Sequence, residues 1–355
     1  MTREIDFKYR VLRNNAVFGE LHASPDGGAA VLRMDDSAEI KTSLSGTFFP
    51  DVTNADGETV EADWLKDEIQ PVLIVDGAEH DLGVFMPATV TPWTVQAAKT
   101  LRIEAYDRCW RVRDTYTTSR VYFAASTPYR TAIDSLLSLA GVTLVYAAPT
   151  AAVLAEDREW EIGVSALQIV NELLREINYN ELWFDASGAA ILEPASTPTV
   201  GNIEHTFDAD DVESLIVPQV SRETDVYSAP NVFLCLCSNP DKSAVMSATA
   251  KNTNPQSPLS IPRRGREIVS VTQLNNVADQ DTLQAYADRL RNESMIGGET
   301  IRIQTALLPG FGVADVVALH YEDIAALCIE RAYTMELRVG GTMSHELERV
   351  VYNLG

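Results

Sequence analysis

An alternation of apolar and polar positions characterises the first part of the chain. Leu101, Ile103 and Ala105 occupy every second position of one segment, with charged residues between them. This is the period of a strand with one buried face. Asp76 and Gly77 separate two further strand-like runs, IQPVLIV and AEHDLGVF. An Asp-Gly pair between two such runs predicts a hairpin with a type I′ turn.

A helical period replaces this alternation in the middle of the chain. The segment TPYRTAIDSLLSLAG begins with Thr127-Pro128 and ends with Gly141, residues typical of the start and the end of a helix. A second amphipathic helix begins at Ser165, and the hairpin ELWFD–AAILEP follows it with a turn at Gly188. The order of these segments predicts a small α/β module.

Strand patterns resume after this module, together with one more helix that Asp279 or Asp281 caps. The two β-rich regions share a loose pattern, in which a strand, an Asp-containing turn and a second strand return to an apolar core. The sequence therefore predicts an α+β, mostly β fold, with two related β-barrels, an inserted α/β module and a helix in the second half. The expected divisions are a first barrel at 1–113 (with 199–235 as its possible completion), the module at 114–198, and a second barrel at 199–355 with a surface loop at 238–266 and a helix at 279–296.

The composition is that of a globular protein with an acidic surface. Of the 355 residues, 46% are hydrophobic and 22% are charged, and the formal net charge is −23. A protein that grips nucleic acid through its phosphates needs a basic face, because phosphate neutralisation supplies most of the affinity. The charge therefore argues against a nucleic-acid-binding protein. The opening MTREIDFKYRVL lacks the apolar core of a signal peptide, and no run is apolar enough to predict a membrane span.

Residues suited to catalysis or metal binding are scattered. The sequence contains no G-x-G-x-x-G, P-loop, G-x-S-x-G, H-E-x-x-H or EF-hand pattern. Cys235 and Cys237 lie in an apolar strand-like run, where we interpret them as core residues. Asp208, Asp210 and Asp211 lack the glycine and the distal glutamate of a calcium loop. The five histidines are isolated from one another: His22, His80, His205, His320 and His345. We therefore expect no enzyme activity, no cofactor and no metal.

The one basic cluster is a candidate for docking a partner. Arg263, Arg264 and Arg266 lie in IPRRGRE, and on so acidic a chain they are suited to an acidic surface of a neighbour. A competing hypothesis is a carbohydrate or cell-wall hydrolase that uses Glu159 and Glu161, which alternate along a predicted strand. Paired carboxylates serve glycosidases, but they also protect a solvated strand edge from aggregation, and we favour the edge.

The order of the segments resembles the central hub proteins of bacteriophage tail tips and baseplates, including those of contractile tails and the tail-associated proteins of long non-contractile tails. The segments that carry the resemblance are DWLKDEIQPVLIVDGAEHDLGVF, LRIEAYDRCW, TPYRTAIDSLLSLAGV, REWEIGVSALQIVNELLREINYNELWFDASGAAILEP, APNVFLCLCSNP and ALLPGFGVADVVALHYEDIAALCIERAYTMEL. The motifs are topological rather than catalytic, and they span nearly the whole chain.

The resemblance implies a structural protein at the distal end of the tail in the virion. It implies two tail-tube-like β-barrels per subunit and a homotrimer whose pseudo-sixfold ring matches the tail tube. Expected partners are the distal tail ring protein, the tape measure protein and tip or fibre proteins. DNA is expected only as passing cargo, for which an acidic lumen is suited, and no direct membrane insertion is expected. The same pattern fits the hub of a contractile injection system or of a gene-transfer particle.

Overall fold

The structure is a computed structural model, and it describes residues 3–95, 98–211, 215–223, 229–237, 246–274, 277, 279–296 and 299–350. The first nine strands belong to one sheet. Their bounds are β1 Ile5–Arg13, β2 Ala16–Ala23, β3 Ala30–Asp35, β4 Thr42–Thr53, β5 Thr59–Val60, β6 Glu68–Val75, β7 Ala78–Asp81, β8 Phe85–Val95 and β9 Ala98–Asp107.

Six of these strands close into a ring. The hydrogen-bonded order β4-β2-β1-β6-β8-β9 returns to β4, because β4 also pairs with β9. The expected alternation is confirmed, since Leu101, Ile103 and Ala105 are all buried inside the ring. The expected hairpin is confirmed as well. Asp76 and Gly77 join β6 to β7 with φ values of 49° and 83°, and the type I′ turn requires positive φ at both positions.

The inserted module contains three helices and two small sheets. Its elements are α1 Cys109–Asp114, β10 Val121–Phe123, α2 Tyr129–Leu139, β11 Val145–Ala147, β12 Arg158–Trp160, α3 Ala166–Glu176, β13 Trp183–Phe184 and β14 Ala190–Leu192. The apolar stripes of α2 and α3 meet in one core, to which Leu136, Leu137, Leu173 and Leu174 contribute. The hairpin β13–β14 is extended by a parallel pairing of β14 with β11.

The end of α2 follows directly from the sequence. Gly141 has a φ of 74°, a conformation that an L side chain rarely adopts. Its N–H donates to Ser138 O at 3.0 Å, and the N–H of Val142 donates to Leu137 O at 2.9 Å. These two bonds form a Schellman motif, which satisfies carbonyls at the helix end.

The described residues of the second half contribute strands to two sheets. Its elements are β15 His205–Asp208, β16 Ser221–Glu223, β17 Val232–Cys237, β18 Met246–Lys251, α4 Ile261–Arg264, β19 Val269–Leu274, α5 Gln280–Ile296, β20 Thr300–Ala306, β21 Val316–Tyr321, β22 Ile324–Leu337 and β23 Thr342–Val350. One sheet has the order β15-β21-β22-β23-β20-β16 around an apolar core. The other has the order β18-β17-β19, with α5 packed on one face.

Two expectations for the second half need correction. The segment 238–266, expected to be a surface loop, contains β18 and α4, and β18 pairs with β17 over its whole length. Its buried Ala248 and Ala250 pack toward α5, a pattern too short and too weakly apolar to be recognised in the sequence. Residues 238–245 of this segment lie outside the described residues. The segment 199–235 does not complete the first ring, because β15 pairs with β21, β16 with β20 and β17 with β18 and β19.

One continuous sheet runs through both β-rich halves. Residues Ala30–Asp35 of β3 pair with Ala332–Leu337 of β22, so the largest sheet has fifteen strands. The α+β, mostly β class is confirmed. Among the described residues, no helix has the length and apolar character that a membrane crossing requires.

Candidate assembly surface

Eight strands of the large sheet form an uninterrupted antiparallel run. Their order is β16-β20-β23-β22-β3-β4-β9-β8, and each neighbouring pair is antiparallel. Half of the run comes from each β-rich region, and the pairing of β22 with β3 joins the halves. At about 4.8 Å between neighbouring strands, the seven steps span about 34 Å along the sheet.

One face of this run is buried and the other is open to solvent. Along β20, Ile301 and Ile303 are buried, whereas Arg302 and Gln304 between them are exposed. Side chains alternate between the two faces of a strand, so the polar residues of all eight strands share one surface. We call this surface the open face. On five of the six inner strands, β20, β23, β22, β3 and β4, its members include Gln304, Ser344, Thr334, Arg33 and Ser43.

The two halves of the run have the same topology. In chain order the first half comprises β3, β4, β8 and β9, and the second comprises β16, β20, β22 and β23. In space the first half has the order β3-β4-β9-β8 and the second β16-β20-β23-β22. When the strands of each half are numbered in chain order, both halves have the spatial order first, second, fourth, third. The third and fourth strands form a long hairpin, which lies at the same end of each half.

A β-bulge lies at the same place in both hairpins. In β8 the register shifts between Pro87 and Thr89, and in β22 it shifts between Glu330 and Ala332. A bulge inserts one extra residue and increases the local twist, so it marks the position along a strand. The shared bulge shows that the two halves match residue by residue as well as in topology.

The cations of the open face are paired with neighbouring groups. Arg302 contacts Glu223 at 2.7 Å and Glu346 at 3.0 Å. The guanidinium of Arg102 lies 4.5 Å from the centre of the Trp93 ring. Arg33 also has a carboxylate, that of Asp35, at 3.9 Å. Arg302 and Arg33 therefore lie beside carboxylates that oppose their attraction for an incoming anion, whereas Arg102 stacks on a neutral ring.

The basic cluster divides into residues with different roles. Arg263 and Arg266 are exposed at the end of α4. Arg264 is partly buried, and its guanidinium donates to the carbonyl of Ala229. The side-chain oxygen of Ser260 caps α4 by accepting from Arg263 N at 3.4 Å. The structure therefore leaves two of the three arginines directed at solvent and uses the third to hold the helix.

A buried polar chain joins β20, β22 and β23. His345 Nδ1 lies 2.7 Å from Glu330 Oε2, and its Nε2 lies 3.0 Å from Thr305 Oγ1. Burial lowers the pKa of His345 to about 3 and raises the pKa of Glu330 well above its usual value. The arrangement resembles a catalytic triad, but all three side chains are enclosed in the core.

The amino-acid sequence does not reveal this chain of contacts. His345 was interpreted as an isolated residue, although it occupies a core-facing position in the alternation of β23. The other histidines do not join it in a catalytic set: His205 pairs with Asp315 at 3.1 Å, and His320 lies 3.6 Å from Asp208. The alternation of β23 places His345 on the core-facing side of a predicted strand. This position is the one feature of the sequence that indicates a buried partner for the histidine.

The remaining candidates occupy exposed or structural positions. Glu159 in β12 and Glu161 just after it are both exposed and share Arg120, at 3.2 and 3.5 Å. Asp208 accepts from the backbone of Asp210 at 3.0 Å in a turn. Cys235 and Cys237 are buried in β17. Within the described ranges, no group of three or more His, Cys, Asp or Glu side chains is placed to hold a metal ion.

Comparison with known proteins identifies the fold. No protein-family model matches the chain, and no curated protein matches its sequence. Among solved structures, the tail protein from Neisseria meningitidis MC58 is similar with a TM-score of 0.65 at 12% identity, over 98% of this chain and 97% of that one. The 43 kDa tail protein of a Shewanella oneidensis prophage is similar with a TM-score of 0.65 at 10% identity, over 97% and 98%.

A third structure extends the comparison to another host. A prophage tail protein from Listeria monocytogenes is similar with a TM-score of 0.57 at 11% identity, over 96% of this chain and 94% of that one. At these identities the likeness establishes the fold. The chain has the fold of bacteriophage tail proteins over nearly its whole length, as the resemblance in its sequence predicted.

Proposed function

We propose that this chain, which has the fold of phage tail proteins, is the structural hub of a tail tip or baseplate in the virion. Three copies form a ring that caps the tail tube, connects it to the distal ring protein, the tape measure protein and tip or fibre proteins, and surrounds the path of the DNA. The protein acts by shape and charge rather than by catalysis.

The duplication within the eight-stranded run carries this proposal. Each chain supplies two equivalent four-stranded units side by side, so three chains supply six. A threefold ring of this kind presents a nearly sixfold surface. Twenty-four strands at about 4.8 Å each have a circumference of about 115 Å and a diameter of about 37 Å, which is wide enough for a DNA duplex to pass once side chains are allowed for.

The open face is suited to line such a channel. Its arginines are engaged with carboxylates or with Trp93, and the whole chain carries a net charge of −23. Counterion release, the main source of DNA affinity, requires free cations. A DNA molecule that touches this face therefore gains little and moves past it.

The inserted module acts as a bracket between the two halves. Arg108 Nη1, at the end of the first ring, donates to Gly188 O of the module at 2.9 Å. Arg289 Nη1 of α5 donates to Tyr179 O at 3.2 Å. These two contacts hold the module on both sides. Separately, Arg263 and Arg266 at the end of α4 are exposed and can dock an acidic neighbour in the tail.

Stoichiometry and shape test the proposal together. Light scattering and native mass measurement of the purified chain, alone and with its distal ring partner, are expected to give a trimer. Low-resolution imaging is expected to show a threefold ring with a central hole. A chain that stays monomeric in both preparations contradicts the proposal.

A further inference from the structure

We infer that β8 of one copy adds to β16 of the next copy, so that the open face continues from chain to chain. This inference rests on the proposed ring and identifies the edge through which the ring forms. The partner is a second copy of this chain, and the contact is antiparallel strand pairing.

The pairing of β22 with β3 inside one chain is the template for this contact. In the duplicated run, β22 is the last strand of one unit and β3 is the first strand of the other. The strands equivalent to them are β8 and β16, which lie at the two ends of the run. The pairing of β22 with β3 therefore has one equivalent, the pairing of β8 with β16, and this second pairing needs two copies of the chain.

The register of the contact follows from the duplication. Superposing the two bulges places Thr91 at the position of Thr334 in β22. The strand pairings then fix the equivalent positions on the first strand of each unit. One path runs from the β22–β23 hairpin through β20 to β16, and the other from the β8–β9 hairpin through β4 to β3. Along these two paths Glu223 of β16 is equivalent to Arg33 of β3. Thr334 lies opposite Arg33 within the chain. Thr91 of one copy therefore lies opposite Glu223 of the next.

The exposure of the two edges agrees with a missing neighbour. Trp93, which the same register places opposite Ser221 of the next copy, is 46% exposed although it is a large aromatic residue. The positions from Thr91 to Thr94 are exposed on both faces of the ribbon, and a ribbon covered on neither face is marginally stable in water. All three residues of β16 are exposed as well.

The contact is head-to-tail, so its geometry decides whether the assembly closes. A heterologous interface makes a ring when the rotation per step closes and an open filament when it does not. Within the described part of one chain, β8 pairs with β9 along its length and with β6 at Phe85, and β16 pairs with β20, so β8 and β16 are not neighbours. Any bond between them joins two copies.

A disulfide tests the register in the full-length chain. The double variant Thr91→Cys/Glu223→Cys places one exposed cysteine on each edge, and the native cysteines among the described residues are buried. Paired residues in antiparallel strands have Cα atoms about 4.5–5.5 Å apart, within the range of about 4.4–6.8 Å that a disulfide spans. The control is Lys99→Cys/Glu223→Cys, because Lys99 is exposed on the same hairpin but lies in β9, whose edge is already occupied by β8.

Mild oxidation of the Thr91→Cys/Glu223→Cys variant is expected to give covalent dimer and then trimer as the last species on a non-reducing gel, with little product from the control. Light scattering on the same samples separates the two proposals. A trimer without selective cross-linking overturns the edge pairing and leaves the hub function standing. The absence of both overturns the hub function. A covalent ladder that continues beyond trimer confirms the edge and overturns the closed ring.

Discussion

His345 Nδ1 and Glu330 Oε2 lie 2.7 Å apart inside the second β-rich half, where both side chains are fully enclosed. Thr305 Oγ1 donates its one hydrogen to Ala306 O at 2.8 Å, so it accepts from His345 Nε2. A neutral His345 then accepts at Nδ1, and Glu330 donates its carboxyl proton. The low pKa of His345, about 3, and the raised pKa of Glu330 follow from burial and favour this neutral pair.

Replacement of Glu330 by glutamine tests the protonation state, because the amide keeps a donor but does not titrate. Glu330 has a higher pKa folded than unfolded, so it stabilises the fold fully below its unfolded pKa, and this contribution is lost as the pH rises toward the folded pKa. Relative to the variant, the wild-type protein is therefore expected to lose stability as the pH rises above the ordinary glutamate range, by on the order of 1 kcal/mol per pH unit.

Denaturant unfolding of both proteins at several pH values measures this difference. The contribution of His345 is lost in the opposite direction, as the pH falls from the ordinary histidine value toward about 3, so measurements above pH 6.5 isolate Glu330. A difference between the two proteins that does not change with pH contradicts a protonated Glu330 and indicates a charged pair instead.

Arg108 joins the first ring to the inserted module, and its removal is expected to weaken both. It makes two contacts with Glu68, at 3.0 and 2.6 Å, and one with Gly188 O at 2.9 Å. Among the described residues, Arg108→Ala leaves Arg111, at 3.4 Å, as the cation beside the buried Glu68. We expect a loss of about 3 kcal/mol in the free energy of unfolding, measured by denaturant titration.

A second substitution identifies the cause of this loss. Adding Glu68→Gln to Arg108→Ala removes the uncompensated charge and is expected to restore part of the stability, because the cost comes mainly from the unpaired carboxylate. A double variant that is as unstable as the sum of the single variants assigns the loss to packing.

Two glycines separate backbone strain from close packing. Gly188 and Gly163 have φ values of 77° and 88°, where a side chain is strained. A Cβ at Gly188 meets Val84 side-chain atoms at 2.8 and 2.9 Å, whereas a Cβ at Gly163 meets nothing within 4 Å. Gly163→Ala is expected to cost about 1 kcal/mol, and Gly188→Ala more than that, in thermal or denaturant unfolding. Equal losses contradict a tight contact between the module and the first ring.

The features that sequence predicts well in this chain are local. The turn at Asp76-Gly77 and the end of α2 at Gly141 depend on the backbone freedom of a few adjacent residues. Asp279 or Asp281 was predicted to cap a helix, and the carboxylate of Asp279 accepts from Thr282 N at 2.7 Å at the start of α5. Such signals lie within a few positions of the structure that they specify.

The features that sequence does not predict join distant segments. Ala30–Asp35 and Ala332–Leu337 pair across nearly the whole chain, and nothing within either segment specifies its partner. The duplicated order of strands becomes visible only after these pairings are known. The sequence therefore suggested two related barrels but not the continuous sheet, and it identified the basic cluster without revealing that Arg264 is held by Ala229.

The open face is expected to bind DNA only after its charge is changed. Gln304 and Ser344 are exposed neighbours on β20 and β23 and lie toward the middle of the second unit. Gln304→Lys/Ser344→Lys adds two cations per chain, and six in the proposed trimer, without removing an ion pair. Each phosphate contact that forms contributes a slope of about −0.9 to the dependence of log K on log salt concentration. We therefore expect fluorescence anisotropy to detect salt-sensitive duplex binding by the variant and none by the wild-type protein near physiological salt.

The control Gln168→Lys/Ser126→Lys places the same charge on exposed positions of the module and is expected to bind no better than wild type. Equal binding by the two variants assigns the effect to net charge and contradicts a channel lined by the open face.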